Sequence, residues 1–123
     1  MMLNKVARGI HTHNVAQGFW PGKTDGNALG MGERNVGEAL MLIVSEVAEA
    51  MEHYRDMSES PPVEELSYWW LDNGKPDGFP VELVDVIIRC LDLLDAIGVD
   101  MDELLRAKLD YNHRRPYLHG RSR

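Results

Sequence analysis

Apolar side chains recur at helical spacing in the segment 35–57. They follow one another at steps of three and four residues, at Val36, Leu40, Ile43, Val47, Met51 and Tyr54. At 100° per residue, such positions fall on one face of a helix. Asn35 can cap this helix, and Glu38 stands three residues later, as in a capping box. The pattern therefore predicts a helix over 35–57 with one apolar stripe.

Three further segments carry a helical pattern. The segment 80–97 begins with Pro80 and ends before Gly98, and its apolar stripe consists of Leu83, Ile87, Cys90, Leu91 and Leu94. The segment 101–113 has Asp100 as its cap and apolar positions at Met101, Leu104, Leu105 and Leu109. Residues 3–17 have helical spacing at Leu3, Val6 and Ile10. We expect a helix there in spite of Gly9, which lowers helix propensity.

The remaining segments are predicted to be loops. Residues 19–34 are rich in glycine, and residues 58–79 contain three prolines and two glycines, with a short helix expected near 63–71. No segment alternates in the manner of a strand. The sequence therefore predicts an all-α fold, an antiparallel bundle of four to five helices in a single domain over 1–123. Its parts are an N-terminal helix and glycine-rich loop (1–34), a loop insertion (58–79) and a basic tail (114–123).

Composition narrows the function classes. The chain has 123 residues, one cysteine and a net charge of −7. A single cysteine excludes a disulfide framework and a zinc site with several cysteine ligands. The net negative charge argues against stable nucleic-acid binding and against an anionic membrane surface. The apolar runs are shorter than a membrane span, and the N-terminal residues lack the apolar region of a signal peptide, so we expect a cytoplasmic protein.

The charge is unevenly distributed along the chain. Residues 33–103 contain 18 acidic and four basic side chains, a net charge of −14, whereas residues 104–123 contain six basic and one acidic, a net charge of +5. An acidic segment can gather cations and a basic one can hold a polyanion. The alternative interpretation is a solvated, charged surface.

Two pairs of acidic residues lie on the long helices away from the apolar stripes. Glu46 and Glu49 are three residues apart, as are Glu82 and Asp85. If the two helices pack antiparallel, the four carboxylates can converge. Converging carboxylates repel one another, and a divalent cation with oxygen ligands offsets this repulsion. These residues are therefore candidate ligands for Mg²⁺, with Mn²⁺ as the alternative ion. Ordinary solvent-facing acids remain the competing explanation.

The C-terminal helix and tail supply candidate anion-binding residues. Lys108, Asn112 and Arg115 recur at steps of four and three, which places them on one face if the helix continues. Lysine and arginine hold phosphate well. Arg89 is a further basic residue, on the acidic stripe of helix 80–97. Basic residues at a helix C-terminus also suit the helix dipole, which is a purely structural explanation.

Three stretches together resemble a known family. They are LMLIVSEVAEAMEHYR, GFPVELVDVIIRCLDL and KLDYNHRRPYLHG. They are similar to the MazG-like all-α nucleoside triphosphate pyrophosphohydrolases, in particular to the short single-domain phage and actinobacterial members. The resemblance implies Mg²⁺-dependent hydrolysis of (deoxy)nucleoside triphosphates to the monophosphate and pyrophosphate, with water attacking the α-phosphorus.

The resemblance also implies roles for single residues. Glu46, Glu49, Glu82 and Asp85 would bind the metal, and Lys108, Asn112 and Arg115 would face the phosphates. We assign the general base to Glu49. The linker between Glu49 and Glu82 is longer than is usual in compact family members, which affects the expected wall of the pocket.

The sequence gives weaker signals for the residues that would bind the nucleobase. Trp20, in the glycine-rich loop, could stack on a base or could be a hydrophobic plug over the helix ends. Asn35 and Trp69 are further candidates, with core packing as the alternative for Trp69. His11 is expected at the protein surface.

The partners and the alternative functions follow from the same features. Apolar residues outside the main stripe, Met41, Leu42 and Val44, predict a homodimer or homotetramer. The alternative function is a catalytically inactive helical interaction or regulatory module of the same fold. A regulator that binds nucleic acid through the basic tail is disfavoured by the net charge.

Overall fold

The structure, a computed structural model, describes residues 2–57 and 61–116. Four helices are present in this part of the chain: α1 (Met2–Ala16), α2 (Val36–Arg55), α3 (Phe79–Ala96) and α4 (Met101–His113). Each lies within two residues of its predicted bounds. Asn35 and Asp100 cap α2 and α4, because their side-chain oxygens accept from the backbone N–H of Glu38 and Glu103. Gly98 follows α3 with a φ of 81°, a conformation that favours glycine.

The loop insertion 58–79 differs from the prediction. It contains a short 3₁₀ turn (Val63–Glu65) and a two-stranded antiparallel hairpin, β1 (Tyr68–Trp70) and β2 (Pro76–Gly78), where a short helix was expected. The expectation of no strand was therefore wrong. Three-residue strands are too short for an alternating pattern to appear in the sequence. The fold is mostly helical, with this small hairpin beside α3.

Helix α3 is the centre of the packing. It contacts α2 on one side and α1 on the other, and α4 packs on α1. Glu46 pairs with Arg89, and His53 with Glu82, so positions advance along α2 as they decrease along α3. The two helices are therefore antiparallel, as predicted. Ala39 and Ala50 are buried on α2, where small side chains let the neighbouring helix approach closely.

The buried apolar core is small. Its members are Ala7, Val15, Trp20, Ala39, Ala50, Leu91 and Ala96, mostly alanine. The apolar stripes lie largely outside it: Leu40, Val47 and Ile87 are each about half exposed, at 50%, 49% and 56%. The faces that α2 and α3 turn toward each other instead carry the acidic side chains. Among the described residues, no helix is long and apolar enough to cross a membrane.

Candidate functional site

Three carboxylates meet between α2 and α3. Glu46 and Glu49 come from α2 and Glu82 from α3, and one oxygen of each lies within 4.8 Å of the others. Glu46 and Glu82 are buried, whereas Glu49 is exposed. Residues three apart share a helix face, so the spacing of the α2 pair directs both side chains at α3. We call these three residues the acidic cluster.

The cluster shifts the pKa values of its carboxyl groups. Burial, followed by hydrogen bonding to Glu49 and Glu46, raises the pKa of Glu82 to about 8. Burial and the nearby charge of Glu46 also raise the pKa of Asp85, although Arg89 partly opposes this. Asp85, the fourth of the predicted metal ligands, is therefore influenced by the charges of the cluster. In both groups burial is the largest cause of the shift, and neighbouring carboxylates add to it.

Two basic groups lie against the cluster. Arg89 donates from Nε to Oε1 of Glu46 at 3.0 Å. His53 lies on the other side, with Nε2 at 3.5 Å from Glu82 and 3.7 Å from Asp77. The sequence analysis did not identify Asp77, which β2 brings next to α3 by pairing with Trp69. A cross-strand register of this kind leaves no signal in the sequence of a short hairpin.

A buried polar network joins α1 to α3. Asp92, 4% exposed, accepts hydrogen bonds from Asn14 and Trp20, and His11 Nδ1 lies at 2.6 Å from its Oδ1. Lys23 Nζ lies at 2.9 Å from His11 Nε2. An ammonium group donates and does not accept, so Nε2 of His11 accepts from Lys23, and the N–H group at Nδ1 donates to Asp92. The expectation that His11 lies on the surface was wrong, because it is completely buried in this network.

The same network holds the glycine-rich loop in place. Lys23 donates to the carbonyl oxygens of Ala28 and Gly30 at 2.6 Å and 2.9 Å. Burial lowers the pKa of Lys23, and the charge of Asp95 opposes that shift. The backbone N–H of Gly30 donates to the carbonyl of Ala96 at the end of α3. The loop thus has a defined path over the helix ends.

The loop determines where the candidate base-binding residues lie. Trp20 is 1% exposed, and the guanidinium of Arg34 covers its ring at 4.6 Å. Trp20 therefore takes the second of its two expected positions, that of a hydrophobic plug over the helix ends. A ring this deeply buried cannot stack on a ligand. Asn35 uses its side-chain oxygen as the cap of α2. Trp69 is 45% exposed on the hairpin, with its ring edge-on to His53.

A cavity of about 640 Å³ opens between the loop, α2 and α3. On α2 the lining runs from Glu46 through Leu42 to Glu38, and on the antiparallel α3 it runs from Asp85 through Ile88 and Arg89 to Asp92. Loop residues complete the lining, among them Phe19, Pro21, Glu33 and Arg34. We call the end of the cavity at Glu38, which is farther from the cluster than Glu46, its outer end. The volume lies in the usual range for small-molecule sites. The cavity is continuous with the acidic cluster through Glu46.

The predicted phosphate-binding residues fall into two groups. Arg89 lies at the cluster. Lys108 of α4 and Arg115, which follows that helix, lie at 5.2 Å and 5.6 Å from the centre of the Tyr111 ring, and α4 packs against α1. Among the described residues, no salt bridge joins these two side chains to the acidic cluster. Asn112 belongs to the same helix, and tail residues 117–123 lie outside the described part of the chain.

The chain was compared with known proteins in three ways. No family model matches it, and neither a curated protein nor a solved structure does.

Proposed function

We propose that this protein is a Mg²⁺-dependent nucleotide pyrophosphohydrolase that converts (deoxy)nucleoside triphosphates to the monophosphate and pyrophosphate. The observation that carries the proposal is the convergence of Glu46, Glu49 and Glu82, together with a nucleotide-sized cavity that Glu46 lines. Three carboxylates with oxygens this close form a donor set that suits a hard divalent cation. Burial raises the pKa of Glu82 to about 8, and the hydrogen bonds and charges of Glu49 and Glu46 add to that shift, so ionising all three carboxylates without a cation is unfavourable.

The proposed reaction requires the residues of the cluster to have different roles. Glu46 and Glu82 are buried and fixed between the helices, which suits metal ligands, with Asp85 beside them. Mg²⁺, when bound, would offset the carboxylate charges and polarise the phosphoryl oxygens. Mn²⁺ is the alternative ion. Glu49 is the exposed member of the cluster, so a water molecule from solvent can reach it.

The bond changes then follow. The oxygen of a water molecule forms a bond to the α-phosphorus as Glu49 accepts its proton. The bond between the α-phosphorus and the oxygen that bridges to the β-phosphorus breaks, and pyrophosphate leaves. Arg89 is placed to interact with the negative charge of the phosphates. The roles of Lys108, Asn112 and Arg115 at the phosphates stay predictions.

The experiment is a product assay with the full chain. The protein is incubated with Mg²⁺ and each of the common ribo- and deoxyribonucleoside triphosphates, and pyrophosphate is separated from orthophosphate. We expect pyrophosphate and the monophosphate in equal amounts. Release of orthophosphate alone would contradict attack at the α-phosphorus. Absence of turnover with every nucleotide in the panel would favour the alternative, an inactive helical interaction module.

We also propose that the protein is a homodimer or homotetramer. Large apolar side chains on α2 and α3 are about half exposed: Leu40, Val44, Val47 and Ile87 have 49–56% of their surface accessible. Obligate subunit interfaces are more hydrophobic than other protein surfaces. A second copy that covers this face would complete the core that one chain lacks.

Light scattering tests the oligomer. We expect a mass of two or four times 14.0 kDa. Val47→Asp places a charge in the centre of the apolar face and should shift the mass toward that of one chain. Val63→Asp is the matched control, because Val63 is 77% exposed on the 3₁₀ turn. A monomeric mass for the unmodified chain would refute the proposal.

A further inference from the structure

One side of the cavity is apolar and aromatic, and the phosphate chemistry does not use it. Phe19 is 63% exposed and lines the cavity, together with Pro21, Leu42 and Ile88. Phe19 stands directly before the buried Trp20, and its backbone N–H donates to the carbonyl of Asn14 at 3.0 Å. A large exposed aromatic side chain held at a cavity edge is a stacking surface for a flat ligand.

The distance along α2 suits a nucleotide. Glu38, Leu42 and Glu46 line the cavity at steps of four, so they form one row along the helix. Eight residues of α-helix span about 12 Å. A ligand with its α-phosphorus at the acidic cluster would therefore extend its sugar and base along this row toward Phe19. The cavity lining thus extends from the acidic cluster along α2 over a length that suits a nucleotide.

Two carboxylates at the outer end are available to form hydrogen bonds with the nucleobase. Glu33 and Glu38 line the cavity, and among the described residues neither side chain has a hydrogen-bond or ion-pair partner. An ionised carboxylate accepts hydrogen bonds and does not donate them. It therefore pairs with the amino group of cytosine or adenine and is repelled by the O4 carbonyl of thymine or uracil.

We propose that the cavity is the base site, that Phe19 stacks on the base, and that Glu33 and Glu38 select nucleotides whose base carries an exocyclic amino group. This inference rests on the proposed hydrolase function. It corrects the assignment of Trp20: the aromatic residue available to a base is its neighbour Phe19.

The sharpest test compares dCTP with dUTP. Their bases differ at position 4, which carries an amino group in cytosine and a carbonyl oxygen in uracil, and at N3, which carries a hydrogen only in uracil. We expect kcat/KM for dCTP to exceed that for dUTP by about tenfold. Glu38→Gln and Glu33→Gln should each reduce this ratio, because an amide can donate to the O4 carbonyl. Equal values of kcat/KM for the two nucleotides, or a preference for dUTP, would overturn the assignment of the carboxylates.

The stacking residue is tested separately. Phe19→Ala should raise KM for dCTP by about tenfold or more with kcat changed less than twofold, and Phe19→Tyr should retain the original KM. Leu29→Ala is the matched control, since Leu29 is 70% exposed on the same loop and does not line the cavity. An unchanged KM in Phe19→Ala would overturn the stacking role.

Binding measurements separate the inference from the function on which it rests. Calorimetry with dCTP and Ca²⁺ reports binding without requiring turnover. Binding that depends on Phe19 without pyrophosphate release would support the base site and overturn the hydrolase. Hydrolysis of every nucleotide with no dependence on Phe19, Glu33 or Glu38 would support the hydrolase and overturn the base site.

Discussion

Glu82→Gln is the substitution that best separates stability from function. Glu82 is buried beside Glu46 and Glu49, and its pKa lies at about 8, well above the ordinary glutamate value of 4.5. Glutamine keeps the shape and removes the charge. We expect the variant to lose hydrolysis, because the metal site loses a carboxylate. We also expect the metal-free variant to be more stable than the unmodified chain at alkaline pH.

Proton linkage determines the direction in which stability changes with pH. Because the folded state binds this proton more tightly than the unfolded state, the contribution of Glu82 to stability is complete below pH 4.5. It is lost as the pH rises through about 8. One group changes the unfolding free energy by at most about 1.4 kcal/mol per pH unit. Water at the exposed Glu49 screens the cluster, so we expect a total of about 1–3 kcal/mol.

The assay is urea unfolding between pH 5 and pH 9 in a metal chelator, followed by circular dichroism. The unmodified chain should lose stability across this range more steeply than Glu82→Gln. Added Mg²⁺ should reverse the loss for the unmodified chain and have a smaller effect on the variant. Glu52→Gln is the control, because Glu52 is exposed on the same helix. Identical pH profiles for Glu82→Gln and the unmodified chain would refute the electrostatic reasoning, and an active variant would refute the metal role.

Two further substitutions test the framework of the fold by urea unfolding. Asp92→Ala removes the carboxylate that accepts from Asn14 and Trp20 and lies against His11. It should lower the free energy of unfolding by about 3–5 kcal/mol. A decrease below about 1 kcal/mol would mean that the buried network does not hold the loop. Asn35→Ala removes the cap of α2 and should cost about 1 kcal/mol. An unchanged unfolding midpoint in Asn35→Ala would contradict the role of that cap.

Local signals in the sequence were sufficient for the helices. The caps Asn35 and Asp100 and the terminating Gly98 occupy the predicted positions, because capping depends on a few neighbouring residues. The convergence of Glu46, Glu49 and Glu82 was also predicted, since it requires only helical spacing and antiparallel packing. The metal, the substrate and the oligomer stay predictions.

Long-range contacts account for what the sequence did not reveal. His11 carries no local sign that it is buried, and its position depends on Asp92, which lies 81 residues away. Asp77 reaches the cluster through a three-residue strand. Phe19 and Trp20 are adjacent aromatic residues, and only the packing of the loop buries one and exposes the other.

The sequence by itself determined where the helices lie and that α2 and α3 each carry one apolar and one acidic face. The tertiary structure decided that the acidic faces meet inside the chain, while Leu40, Val47 and Ile87 remain half exposed. The physical reason is that periodicity assigns residues to a face, but the identity of the inner face depends on every surface available for packing. A bundle of one chain would turn its apolar stripes inward, whereas this arrangement leaves them on the outside.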